Sequence, residues 1–486
     1  MLLASDASPL PNYGGAKARG RAVAEGQLLR VVRSREVLAI AFGAMIGWSW
    51  VALSGVWIDS AGSVGAMLAF AAGAVAVVFV GLTYAELASA MPQAGGEHVY
   101  SLRALGRGGA FICTWAILLG YVSVVAFEAV ALPTVLDYLL PGFSRGYLWT
   151  VAGWDVHLTW VLVGVVAAFV ITTINVLGIH HAAKLQVIVT VLILLAGLTL
   201  IGGAGVAGAT ANMQPLFDNG VQGFLAVLVM VPFMFVGFDV IPQSAEEIDL
   251  PYADIGRLMM LSIAMAVCWY ILIIAAVSTG LDQAAMDSSS LPTADAAAAL
   301  LGGSWGGKLL VLGGIGGILT SWNAFLIGGS RALYALARAG QVPAALGRLH
   351  PRYNTPHNAI LLIGALSIVA PLFGRPALVW LVDAGGPGIV LAYVMVAWSF
   401  LVLRRREPDM PRPYRVQRGR LVGILAAVLA MAILVLYLPG SPAALAWPYE
   451  WAIVGAWIAL GALLYRLAPG ESGGRENRGR ASDAGP

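Results

Sequence analysis

About twelve separate runs of roughly 20 apolar residues constrain this chain more than any other feature, because a bilayer core about 30 Å thick is crossed by about 20 apolar residues in a helix. They fall at residues 38–59, 64–88, 110–138, 158–178, 184–205, 220–244, 257–279, 308–336, 358–373, 377–403, 421–439 and 450–467. In hydrocarbon only helices and closed barrels satisfy their own backbone, and runs this long without polar alternation do not fit barrel strands of about ten residues. The expected fold is an all-α integral membrane protein of about 12 transmembrane helices. Composition agrees: 11% of residues are charged, against about 25% in soluble domains.

Charge sets the orientation. If both termini are cytoplasmic, only Arg145, Lys308 and Arg375 of the 28 Lys and Arg lie on the far side, leaving 25 inside. That asymmetry follows the positive-inside rule and implies a multi-pass protein of the inner or plasma membrane. The net charge of +3 belongs to this topology, with the lipid bilayer rather than nucleic acid as the partner it implies. The chain divides into a polar tail over residues 1–35, a core of ten spans over 36–405, two further spans within 406–467 and a second tail over 468–486. The tails are rich in Gly, Ser, Arg and Pro and are expected to be disordered. Cys113 and Cys268 lie in apolar runs and read as small hydrophobes.

Two spans are interrupted. Span one carries "GAMIGWSW" and span six carries "VPFMFVGFDVIPQSAEE", with Pro232 and Pro242 on either side of a central glycine. Glycines allow close helix packing, but paired interruptions at matching places mark a transporter site. Freed backbone groups are tolerated at membrane depth only where protein or a cavity satisfies them. Spans one to five and six to ten then form two inverted halves.

Three segments in order, "YAELASAMPQAGGEHVY" from Tyr84, "FVGFDVIPQSAEEIDLP" from Phe235 and "SRALYALARAGQVP" from Ser330, resemble the amino acid-polyamine-organocation permeases. The resemblance covers all twelve spans and implies the leucine-transporter-type fold: a 5+5 inverted repeat, two extra helices and alternating access around a midplane site. It also implies that amides of Gly47, Trp48 and Ser49 receive a substrate carboxylate, and that carbonyls around Phe233, Phe235, Val236 and Gly237 receive its ammonium. Half-helix dipoles favour the same assignment. Phe233 stands where the family often has an aromatic gate. Trp48 and Trp50 depart from the family's Gly-Ser-Gly pattern; they either line the site, shrinking it or offering aromatic faces to a cation, or pack against neighbouring helices or lipid.

Intramembrane acids are functional candidates. Glu86, near the cytoplasmic end of span two, suits an interfacial salt bridge. Asp239, two residues past the break's glycine, either titrates during transport or hydrogen-bonds freed backbone. Glu128 sits in mid-span three with no Lys or Arg nearby in sequence, so it is protonated, faces the cavity or pairs with a cation that comes and goes. Asp383, early in span ten, suits the outer vestibule. Together these acids tilt the site toward cationic substrates, with helix packing the alternative.

For coupling, many proton-driven members carry a lysine within span five; the resemblance puts Ile193 at that place. Thr320 and Ser321 match the paired hydroxyls of sodium-coupled relatives, and the same matching adds the carbonyls of Gly43, Ile46 and Gly317, an all-oxygen shell for Na⁺. The alternative is that either hydroxyl bonds back to its own helix, as Ser and Thr commonly do. The expected function is a secondary active permease importing amino acids or closely related amines, with sodium favoured over the proton. The alternatives are an amine, polyamine or ethanolamine-type carrier, and a channel or sensor on the same fold. No enzyme is expected: the adjacent His180 and His181 lack metal-ligand spacing, no nucleophile–base constellation occurs, and no cofactor is implied beyond Na⁺ as coupling ion.

Overall fold

The computed structural model describes residue 30, residues 32–140 and residues 142–468. The expected disordered tails fall almost wholly outside the described residues, as do the side chains of His180 and His181. The first span is two helices, α1 (Ser34–Met45) and α2 (Ser49–Ala61), followed by α3 (Ser63–Ala90) and α4 (Glu97–Leu139). Gly106, at φ 77°, divides α4 into a short segment and a long spanning helix. Next come strands β1 (Tyr147–Val151) and β2 (Trp154–His157), then α5 (Leu158–Val176) and α6 (Ile179–Ala207). The sixth span is again two pieces, α7 (Gly220–Phe235) and α8 (Val240–Gln243), followed by α9 (Tyr252–Gly280) and the short helices α10 (Gln283–Ser288) and α11 (Pro292–Leu300). The chain continues through α12 (Ser304–Arg338), α13 (His357–Val369), α14 (Ala377–Arg406), α15 (Gly419–Leu436) and α16 (Tyr449–Arg466).

A helix stands at each of the twelve expected segments. Among the described residues, ten segments are long and apolar enough to cross a membrane; the apolar stretch His357–Phe373 is shorter, and α16 carries Glu450 and Arg466 at its ends. The chain is a multi-pass helical membrane protein.

The antiparallel β1–β2 hairpin departs from a purely helical chain. Ala152 and Gly153 both have positive φ, 48° and 79°, the backbone of a two-residue turn whose twist matches paired strands. Trp154 packs on Trp160 with ring centroids 4.6 Å apart.

Around the first break the helices are drawn together by glycine. α1 packs against α6, α9 and α12, while α4 packs against α12 and α14. A side chain at Gly314 would meet the Trp48 ring, and one at Gly317 would meet the Gly47 carbonyl. Only hydrogen at these positions lets α12 lie directly on the broken first span.

Candidate functional site

Both expected interruptions are present. In span one, helical bonding stops after Ile46, whose N–H donates to Phe42 O at 3.0 Å, and resumes where Val51 and Ala52 donate to the Trp48 carbonyl. The C-terminal end of α1 and the N-terminal end of α2 therefore meet at residues 46–48. In span six, Val236 N–H donates to the Pro232 carbonyl at 3.0 Å and closes α7. Val236 is then extended and Gly237 takes φ 137°. A Cβ on Gly237 would lie 2.7 Å from Ala44 Cβ and 2.9 Å from Met45 N, so the two breaks touch backbone to backbone.

Tyr270 of α9 joins them. Its hydroxyl donates to the Met45 carbonyl at 2.5 Å and is shared with the Met234 carbonyl at 3.2 Å, while Ser49 Oγ lies 3.2 Å away. One buried phenol thus serves freed carbonyls of both half-helices and the first residue of α2. Asp239 serves the second break: Gly237 N–H donates to Oδ1 at 2.7 Å and Tyr121 Oη to Oδ2 at 2.9 Å. Of its two expected roles, the hydrogen bond to freed backbone is present.

Glu128 reaches the first break from α4 and is 2% exposed. Its Oε1 accepts from Ser321 Oγ. A Cβ on Gly47 would fall 2.8 Å from Glu128 Oε1, which accounts for glycine there. Oε2 is buried and has no hydrogen-bond partner.

Thr320 and Ser321 lie against span one. A Cβ on Gly43 would be 3.2 Å from Thr320 Cβ, and one on Gly47 would be 2.8 Å from Ser321 Cβ. Both hydroxyls also bond back to Gly317 O, at 2.9 and 3.0 Å. Ile193 is fully buried beside Gly317, so an apolar side chain fills the span-five position. Behind it, Gln186 donates to Ala39 O at 3.2 Å and accepts from Asn323, which accepts from Asn175, each at 3.0 Å. This chain of amides ties α5, α12 and α6 to α1. Among the described residues, no three His, Cys, Asp or Glu side chains converge on a metal position.

The aromatic candidates separate. Phe233 packs edge-on to Phe127, centroids 6.2 Å apart, and its ring lies against Gly385 of α14. It therefore stands between three spans beside the break. Phe235 contacts Tyr270 at 5.4 Å. Both indoles are buried, Trp48 against Gly314 and Trp50 edge-on to Trp269 at 5.4 Å.

The amino acid permease family model matches residues 35–462, which covers both breaks and every helix named above. The chain belongs to the amino acid permease family. It is 28% identical to the branched-chain amino acid permease BcaP of Bacillus subtilis over 397 residues, 80% of this chain and 84% of the relative. It is 24% identical to the methylthioribose transporter of the same organism over 445 residues, 90% and 93% of the two chains. With cationic amino acid transporter 4 of Mus musculus it shares 28% over 399 residues, 80% of this chain and 62% of the relative. The resemblance to amino acid-polyamine-organocation permeases is borne out, and these relatives are permeases and transporters, not enzymes.

Elsewhere the permease uses its membrane-embedded charges structurally. Glu86 pairs with Arg404 at 2.5 Å and Arg412 at 3.0 Å and accepts Val416 N–H, the salt bridge expected of it. Asp383 lines a cavity of about 110 Å³ with Tyr437 and Glu450. The pair Glu247–Arg331, bidentate at 2.9 and 3.0 Å and almost fully buried, connects the segment after α8 to α12. Val32 bridges Ile248 alongside it. Glu247 and Arg331 sit inside two of the segments that carry the family resemblance, but 84 residues apart, and sequence reading did not pair them. Tyr270 was missed too, since a tyrosine in an apolar span carries no motif.

Proposed function

We propose that this permease is a secondary active carrier that imports amino acids or closely related amines by alternating access. In this reading twelve spans adopt the leucine-transporter-type inverted repeat, both termini are cytoplasmic, and the substrate is held between the breaks of α1/α2 and α7/α8. A cation gradient drives uptake, with sodium favoured at the carbonyls of Gly43, Ile46 and Gly317 and the hydroxyls of Thr320 and Ser321. The observation that carries the reading is the meeting of two interrupted spans, with Gly237 against Ala44 and Met45 and Tyr270 serving both. Two continuous helices would need neither. Contacts of Thr320 and Ser321 with the first break support the cation position, and the names of the relatives support amino acid substrates.

Purified permease in proteoliposomes tests this. Radiolabelled amino acids and their decarboxylated amines are expected to accumulate inside under an inward sodium gradient, and accumulation is expected to collapse when the gradient is removed. Ion current without accumulation of any solute would replace the carrier with a channel.

A further inference from the structure

The seat expected for a substrate carboxylate is already taken by the chain itself. The Glu128 carboxyl group, reaching the N-terminal end of α2 from α4, lies against Gly47 and accepts from Ser321. Even a methyl group on Gly47 would press on Glu128 and Ser321, so both side chains lie directly on the break. The positive pole of α2 is thereby matched from within the protein.

What remains faces the opposite charge. α1 and α7 both end at the breaks, so two negative helix poles point into the site. Oε2 of Glu128 is buried with no hydrogen-bond partner. The ion pairs among the described residues use Glu86, Glu247, Asp254 and Glu407, so none of their cations reaches Glu128. A buried carboxylate without a countercharge is costly, and a cation that enters and leaves with the transport cycle would supply one.

We propose that Glu128 stands in for the substrate carboxylate at the first break, so that the preferred substrate is a primary amine with no carboxylate. The proposal rests on the carrier reading above and narrows it. An ammonium group meets Glu128 Oε2 and the freed carbonyls. The zwitterion of the parent amino acid brings its carboxylate against Glu128 and is repelled.

Matched pairs decide the matter: isoamylamine with leucine, and agmatine with arginine, assayed by thermal stabilisation of the purified full-length protein and by uptake into proteoliposomes. In the native protein each amine is expected to bind at least tenfold more tightly than its amino acid. Glu128→Ala vacates the space beside Gly47 at the N-terminal end of α2 and is expected to reverse that order. Glu128→Gln, nearly isosteric and so a check on folding, is expected to lose the amine preference tenfold or more. Native protein that binds and carries leucine or arginine as well as the amine, or better, overturns this proposal and leaves the carrier standing. Failure to carry either member of any pair, by protein that elutes as a single folded species, overturns both.

Discussion

Tyr270 donates its hydroxyl to the Met45 carbonyl at 2.5 Å, at the point where α1 stops being a helix. The Met234 carbonyl, at 3.2 Å, shares that donor. Tyr270→Phe keeps the ring that packs on Phe70 and Phe235 but leaves both carbonyls without it. An unsatisfied buried acceptor costs about 1–3 kcal/mol. The variant is expected to unfold at lower temperature, and to lose at least tenfold in initial uptake rate as the register between the breaks loosens. A rate within twofold of the native protein would show that the breaks hold each other without this phenol.

Gly237 predicts a sharper loss. Its φ of 137° lies where L side chains are strained by about 1–3 kcal/mol, and a methyl group would press on Ala44 and on backbone at Met45. Gly237→Ala is therefore expected to abolish uptake. Glycine-to-alanine substitution at Gly202, where nothing lies within 4 Å of the added carbon, is expected to leave uptake within twofold. Retained transport by Gly237→Ala would mean the breaks separate freely.

The helices and the two breaks were legible in the sequence because hydrocarbon leaves so few choices: a run of apolar residues spans, and a Gly/Pro interruption in such a run must be satisfied locally. The partners that satisfy those breaks were legible only in part. Glu128 stood out because a lone acid in an apolar helix is expensive, whereas Tyr270 blends into its span and Glu247 and Arg331 reveal themselves only as a pair. Trp48 and Trp50 drew attention as departures from a family pattern; their rings follow available space, against Gly314 and Trp269. The hairpin escaped because its turn relies on Ala152 at positive φ, a residue that carries no turn signal.

Asp239 is expected to be a structural acceptor, not a proton carrier. Both of its oxygens are engaged, by Gly237 N–H and Tyr121 Oη. Asn keeps one acceptor for Gly237 and turns its amide toward the Tyr121 oxygen, which can accept. Asp239→Asn should therefore lose about 1.5–3 kcal/mol, the range for a hydrogen bond to a charged group, by denaturant or thermal unfolding. It should retain whatever ion dependence the native carrier shows. Uptake that becomes insensitive to an imposed proton gradient would assign the coupling proton to this carboxylate.

Glu247 and Arg331 hold the segment after α8 against α12 with both side chains almost fully buried. Removing one partner of a buried ion pair costs about 3–5 kcal/mol, because the other charge is left behind. Glu247→Gln and Arg331→Met are each expected to be strongly destabilising, whereas the double variant should recover part of the loss, read as a non-additive shift in the unfolding midpoint. Additive single effects would show that the two charges act independently.

Thr320 decides between the two driving ions. Its hydroxyl donates to Gly317 O on its own helix, a bond that adds little stability, while its Cβ faces Gly43. Thr320→Ala should therefore fold with a stability change of no more than about 0.5–1.5 kcal/mol. If sodium sits between α1 and α12, the same variant should raise the sodium concentration for half-maximal uptake at least tenfold, while uptake at saturating sodium is largely kept. Thr199→Ala is the matching control, since its hydroxyl also bonds back to its own helix, at Ala196 O, without facing span one; its sodium dependence should not move. Native uptake that ignores sodium and follows a pH gradient would remove the cation from this shell altogether. Because Ile193 is apolar and Asp239 is engaged by two donors, Glu128 would then be the proton carrier to test at the breaks, and Glu128→Gln would be expected to exchange substrate without concentrating it.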